Sequence, residues 1–250
     1  MTLRLEKHGE TAHLLVDRAA KRNAFDMAMW TALPRILAVA AKDSELRLLV
    51  LRSADPGAFC AGADIGELLA NKDDPVWRAA NQTAINRAQF DLTRFPLPTI
   101  AFVDGDCIGG GCGLALACDL RVATARARFG ITPAKLGLVY PLHDVKLLTD
   151  LVGPGQAKRL LYTGSLIDAA EALRIGLVEL IGEEIGPLAD PILAASPHST
   201  RQVKGFVRRV LDGQAEDDAD TLAIFAQAFT MPDFIEGTTA FVEKRKPDFK

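Results

Sequence analysis

The sequence has few of the residues that build redox and metal centres. It carries four histidines and four cysteines in 250 residues. No C-x-x-C pair occurs, and no metal-ligand spacing is present, which leaves neither a zinc site nor a redox dithiol to expect. Cys60, Cys107, Cys112 and Cys118 therefore read as reduced thiols of a cytosol-like compartment. An excess of either charge is also missing. Lys and Arg number 29 against 32 Asp and Glu, for a formal charge of -3 and a pI near 5.8. That balance gives no reason to expect nucleic acid or an anionic membrane as partner. No apolar run reaches the roughly 18–20 residues of a membrane span. The opening Met-Thr-Leu-Arg-Leu-Glu lacks the apolar core and cleavage site of a secretory signal, so a cytoplasmic location is the expectation. Nucleotide-phosphate loops are absent too: the G-x-G-x-x-G spacing fails at Leu114, and no G-x-x-x-x-G-K-[ST] occurs. Without a G-x-S-x-G elbow, a serine hydrolase of the usual α/β type is not indicated.

What is present suits one large globular domain, or a domain with an appendage: 49% of residues are hydrophobic and 24% charged. Residues 3–7 and 12–16 read as short strands joined through Gly9. Residues 27–42 carry apolar side chains at helical spacing, with Trp30, Leu33, Ile36, Leu37 and Val39. Residues 46–51 and 99–103 are aliphatic runs of the buried-strand kind, with a helix over 76–95 between them. A helix start comes next at 112–118 and a strand at 120–123. This strand–loop–helix recurrence argues for an α/β core. The second half reads as helices over 144–151, 155–162 and 169–175. Pro187 and Pro191 then break the chain, and helices over 200–211, 220–229 and 233–244 form a tail. The boundary is placed at residue 195, giving a core of residues 1–195 and a helical region of 196–250.

Two glycine-bearing loops stand out. One reads Ala58-Phe59-Cys60-Ala61-Gly62-Ala63-Asp64-Ile65, the other Asp104-Gly105-Asp106-Cys107-Ile108-Gly109-Gly110-Gly111-Cys112-Gly113. Each succeeds an apolar strand-like run. Each can turn backbone N–H groups toward one point, and two such donors from separate loops make an oxyanion hole for a reacting carbonyl. A helix opening at the triple glycine adds its partial positive charge. The structural alternatives are a tight helix–strand turn at the glycines and, for Asp64, a simple N-cap of the helix beginning at Ile65.

With these loops in this order, the chain resembles the crotonase superfamily, the enoyl-CoA hydratase/isomerase family. The resemblance also rests on Lys21-Arg22-Asn23-Ala24-Phe25, Cys118-Asp119, Phe129-Gly130 and Lys135-Leu136-Gly137-Leu138. Thr163-Gly164, Ala169, Ala172, Gly176-Leu177-Val178 and the tail Phe241-Val242-Glu243-Lys244-Arg245-Lys246-Pro247 extend it over nearly the whole chain. It implies a spiral of strand–strand–helix units with a C-terminal helical trimerisation region, assembling as a trimer or a dimer of trimers. It implies a coenzyme A thioester substrate and no permanently bound cofactor. The backbone N–H groups of Ala63 and Gly110 would form the oxyanion hole. Lys21, Arg22, Ala61, Asp64 and Ile65 would line the coenzyme A path, and Phe241 and Lys244 would close the adenine end from a neighbouring subunit.

The departures from that pattern bear on the reaction. Family hydratases carry one glutamate after the triple-glycine loop and another after the Phe-Gly pair. Here those positions are Gly113 and Pro133, or Ala134 with a one-residue slip. Two carboxylates position a water and exchange its proton during hydration, so isomerisation or decarboxylation is expected instead. The stretch 131–140 resembles the methylmalonyl-CoA decarboxylase branch, which implies that Tyr140 lines the acyl pocket. That branch has a histidine in the first loop, where Ala63 stands here. Tyr140 is a candidate to orient a leaving carboxylate, and His143 or Asp144 to carry a proton. Their plainer roles are a buried aromatic and a helix start. Three readings stand side by side: an acyl-CoA enzyme working through an enolate, a catalytically silent thioester-binding assembly protein, and a cysteine hydrolase lacking an evident base.

Overall fold

The computed structural model of the chain describes residues 2–249. Two compact units are present. The first comprises residues up to Phe95 and Thr99–Ile185; the second comprises Pro96–Pro98 and the chain from Gly186 onward. The first unit is a mixed α/β body with parallel sheets.

Its larger sheet has six strands in the order β1(Leu3–His8), β2(Thr11–Val16), β3(Leu48–Ser53), β5(Thr99–Val103), β7(Leu120–Ala123) and β10(Leu180–Ile181). β1 and β2 form the antiparallel hairpin, Leu3 opposite Val16, with Gly9 in the left-handed region at the turn. The other pairings are parallel. Burial on both faces explains the unbroken apolar runs: all five residues of β5 are buried, as are Leu48 to Leu51.

The smaller sheet has the order β4(Ala58–Cys60), β6(Asp106–Ile108), β8(Arg128–Gly130) and β9(Leu166–Asp168). β4, β6 and β8 run parallel. Neighbouring parallel strands deliver their C-terminal loops to the same end of the sheet. β4 leads through residues 61–64 into α2(Ile65–Ala70), and β6 leads through Gly109 into α4(Gly110–Ala117).

The helices begin where short polar side chains can satisfy their first N–H groups. Asp26 caps α1(Met27–Ala40), accepting from Met29 N at 2.9 Å, and the helix buries Met29, Trp30, Leu33, Leu37 and Ala40. Asp74 caps α3(Pro75–Thr93), accepting from Val76 and Trp77, with Pro75 in the first turn. α3 buries Asn81, Ala88, Gln89 and Leu92. α4 is almost wholly buried and packs against α3 and α5(Leu142–Thr163). α5 leaves helical conformation at Gly153 (φ 72°), so its two stretches match the two helices expected there. α6(Ala169–Arg174) comes directly after β9, its N-cap Asp168 accepting from Glu171 N.

In the second unit, α7(Gly186–Ala194) runs through Pro187 and Pro191, where a break was expected. Proline in a first turn forfeits only an N–H that would be unpaired anyway, so Pro187 starts this helix rather than ending one. α8(Pro197–Leu211), α9(Ala219–Ala228) and α10(Pro232–Glu243) complete the unit. Ser196 caps α8, and Asp218 with Thr221 forms a capping box on α9. Among the described residues, no helix is long and apolar enough to cross a membrane.

Candidate active site

The two glycine loops meet at the end of the smaller sheet. A β-carbon placed on Gly62 (φ 98°) would stand 2.9 Å from the Ile108 carbonyl oxygen and 3.3 Å from Gly110 N. One placed on Gly110 would stand 3.5 Å from Ala63 N, and one on Gly111 would collide with the Cys60 carbonyl. Only glycine permits this approach of backbone to backbone.

The hydrogen bonds then select which amides stay open. Phe25 N donates to Gly62 O at 2.8 Å, and Asp64 N donates to Phe25 O at 2.8 Å. These bonds flank Ala63 and leave its own N–H out of the bridge. Gly109 N donates to Gly130 O at 2.8 Å. Gly110 N opens α4, where no preceding helical turn supplies an acceptor. Two adjacent backbone donors, one at the positive end of a buried helix, are what a developing oxyanion requires.

Gly113 lies one turn further along α4, on nearly the same face as Gly110. The space beside it is filled from two other helices. A β-carbon on Gly113 would overlap Gln89 Nε2 from α3 and stand 3.1 Å from Asp144 Oδ2 from α5. Gln89 Nε2 donates to Asp144 Oδ2 at 3.3 Å. Gln89 is fully buried and Asp144 is 1% exposed. Asp144 Oδ1 and Gln89 Oε1 have no hydrogen-bond partner. His143 Nδ1 is likewise unpartnered and lies 3.5 Å from Asp144 Oδ1. Buried polar atoms without partners are uncommon in folded proteins, and three of them converge here.

Tyr140 is buried and donates its hydroxyl to Gly109 O at 3.0 Å. Burial, reinforced by the nearby Asp144 carboxylate, pushes its phenol well above the usual range, so it stays a neutral donor. Its proton is committed to the glycine loop. Trp30 packs at the same corner, its Cζ2 3.4 Å from the β-carbon position of Gly110, with the indole nitrogen unpartnered.

The cysteines are free and buried. Burial pushes the Cys60 thiol up to about 12, and the Cys112 thiol donates to Cys107 O at 2.8 Å. The surroundings of Cys60 do not favour a thiolate nucleophile.

The structure thus brings Ala63, Gly110, Tyr140, His143 and Asp144 into one region of the first unit. Lys21 ends a 3-10 turn (Ala19–Lys21) and is exposed. Arg22 and Asn23 both adopt left-handed backbone (φ 51° and 58°). Arg22 O accepts from Ala61 N at 3.0 Å, which ties this turn to the first glycine loop. The Arg22 guanidinium pairs with the Asp106 carboxylate while its side chain stays 63% exposed. Asp64 is the N-cap of α2, accepting from Gly66 and Glu67 N–H groups, and it pairs with Arg18 Nη1 at 2.9 Å. Its carboxylate is therefore engaged by the protein itself, while Ile65 is exposed. Phe241 and Lys244 belong to the second unit, on α10 and at its left-handed C-cap. Pro133, at the second hydratase glutamate position, is half-buried and opens a 3-10 turn (Pro133–Leu136) whose other residues, Ala134 among them, are exposed.

Sequence reasoning missed Gln89. Its one signal was a polar side chain on the α3 stripe that carries Asn81, Ala88 and Leu92 to the interior. Trp30 was read only as part of an apolar helix face.

Comparison with known proteins places this geometry in context. The family model for enoyl-CoA hydratase/isomerase matches residues 6–250. A crotonyl-CoA hydratase of Syntrophomonas wolfei is 33% identical, over 98% of this chain and 96% of its own. The crystal structure of an enoyl-CoA hydratase from Bacillus anthracis superposes with a TM-score of 0.90 at 30% identity, covering 100% of this chain and 99% of that one. An enoyl-CoA hydratase/carnithine racemase from Magnetospirillum magneticum superposes at 0.94 with 28% identity, over 100% and 96% of the two chains.

Proposed function

Because the chain belongs to the enoyl-CoA hydratase/isomerase family, we propose that it is an enzyme on acyl-CoA thioesters that shifts a carbon–carbon double bond by proton transfer. The observation that carries this reading is the pair of open amides at Ala63 and Gly110 with one buried carboxylate, Asp144, close by. The thioester carbonyl accepts from both amides, each donor being worth roughly 10²- to 10³-fold in rate. In a 3-enoyl thioester, the C2–H bond breaks and its proton passes to Oδ1 of Asp144. The electron pair delocalises into a dienolate whose oxygen the amides stabilise. The carboxylic acid then returns a proton to C4, and a 2-enoyl thioester results. One carboxylate suffices for this shift, whereas family hydration uses two.

Decarboxylation of a malonyl-type thioester fits less well. Tyr140 spends its hydroxyl on Gly109 O, so that donor is not open to orient a departing carboxylate. The coenzyme A portion is assigned to Lys21, Arg22, Ala61 and Ile65, with Asp64 acting through the helix cap it forms. Phe241 and Lys244 of a neighbouring copy are assigned to the adenine end. The glycine at 113 and proline at 133 support a second reading, a thioester-binding assembly protein without turnover.

A panel of 2-enoyl, 3-enoyl, malonyl-type and saturated thioesters, monitored in D₂O by mass spectrometry, separates these readings. Conversion of 3-enoyl to 2-enoyl thioester is the expected result, with deuterium entering to the extent that the Asp144 proton exchanges with solvent. Asp144→Asn is expected to lower the rate about 10²- to 10⁴-fold, the usual range for a general acid–base. Loss of carbon dioxide from the malonyl-type substrate makes the protein a decarboxylase, and binding without any turnover makes it the silent member.

A further inference from the structure

Gly113 and Gln89 belong to one arrangement. Gln89 approaches through the space that any β-carbon at 113 would occupy, and its Nε2 reaches Asp144 Oδ2 from there. All three residues come from different helices, α3, α4 and α5, with α4 packed against both of the others. Asp144 can rotate its carboxyl group about its side-chain torsion unless something fixes it. The amide of Gln89 holds one oxygen, Oδ2, while Oδ1 makes no hydrogen bond and lies 3.5 Å from His143 Nδ1.

We infer that Gln89 is a positioning residue for the proton carrier: it fixes the Asp144 carboxylate through Oδ2, which reserves Oδ1, beside His143, for the proton, and the absent side chain at Gly113 is the condition for its doing so. The carboxylate that family hydratases place on the helix after the triple glycine is supplied here from α5, across the gap that Gly113 leaves. A buried carboxylate with one oxygen held by an amide keeps its basic site on the other, and its direction is set by an amide that is itself 0% exposed. Misdirecting such a group by an ångström lowers rate without touching the binding of the coenzyme A portion. The gap also makes the arrangement exclusive. A glutamate at 113 would displace Gln89, so Gly113→Glu does not restore a hydratase.

This inference rests on the enolate reading, and proton transfer on a 3-enoyl thioester, read as conversion to the 2-enoyl form together with deuterium exchange, tests both. Wild type and Asp144→Asn test the reading; Gln89→Leu and Gly113→Ala test the inference. Gln89→Leu is expected to lower saturated exchange roughly 10- to 100-fold, with the half-saturating thioester concentration within about twofold of wild type. Gly113→Ala, which pushes Gln89 aside, is expected to give the same pattern. In a Gln89→Ala background, the Gly113→Ala change is expected to add little, because the clash has gone. Exchange unchanged in Gln89→Leu, or fully additive effects of the two changes, overturns the inference while leaving the reading intact. A wild-type protein that neither converts 3-enoyl to 2-enoyl thioester nor exchanges deuterium overturns the reading, and the inference with it. If Gln89→Leu does not fold, Gly113→Ala and the double variant decide the matter.

Discussion

Gly62 shows how one residue serves both fold and chemistry. Its backbone sits at φ 98°, which L side chains rarely adopt, and a β-carbon there would press on Ile108 O and Gly110 N. A non-glycine residue in such a region is strained by about 1–3 kcal/mol. The displaced nitrogen is itself one of the two candidate oxyanion donors. Gly62→Ala is therefore expected to lower the urea midpoint by an amount consistent with that strain. It is also expected to reduce turnover well beyond what the lost folded fraction explains, up to the 10²- to 10³-fold typical of one lost donor. Thioester turnover and urea unfolding of the same preparation check this. Proportional losses in the two would assign Gly62 to stability alone.

At the scale of an element, α2 depends on Asp64. The carboxylate caps the helix and pairs with Arg18, and the nearby guanidinium holds it below the usual carboxylate range. A depressed folded value means the stabilisation is complete above the unfolded value, about 3.9. It is lost as pH falls through the lower folded value. Asp64→Asn keeps a competent N-cap but gives up the ion pair with Arg18, whose two side chains are only 13% and 20% exposed. The variant is expected to be less stable than wild type at pH 7, with the gap narrowing as pH falls below the unfolded value, about 3.9. Urea midpoints at pH 7 and below that value, measured without ligand, read this directly. A gap that persists at low pH would assign the effect to packing. The Asp64 cap was legible in the sequence, because an aspartate before a helical run carries a local mechanism. So were the strands β3 and β5 and the helix α1, whose apolar runs are long enough to carry a pattern. The strands β4, β6, β8 and β9 are three residues each, too short for any alternation to register. Only the two loops they carry were visible. Asp144 was legible as a candidate from its neighbourhood. Gln89 was not, because its meaning lies in a space that Gly113, far along the chain, leaves open. An empty position is legible only once three helices are packed around it.

At the scale of the whole molecule, the second unit presents apolar surface without cover. Phe225 meets Phe229 edge to face and Phe229 meets Phe234 at a tilt, with ring centroids 5.4 and 5.1 Å apart, and all three are exposed. Phe241 is 85% and Val242 78% exposed on α10. Contiguous exposed apolar surface of this kind marks a binding face, and its occupant is proposed to be further copies of the same chain. The expected assembly is a trimer, or a dimer of trimers, of 26.9 kDa chains. Phe225→Glu would place a charge within that face and is expected to shift the sedimenting species toward monomer, while circular dichroism stays unchanged. The consequence for activity separates two roles of the assembly. If Phe241 and Lys244 of a neighbour close the adenine end, the monomeric variant should need more thioester for half-saturation, with turnover at saturation little changed. A monomer that binds and turns over as wild type does would show that each chain carries a complete site. The apolar face would then serve assembly alone.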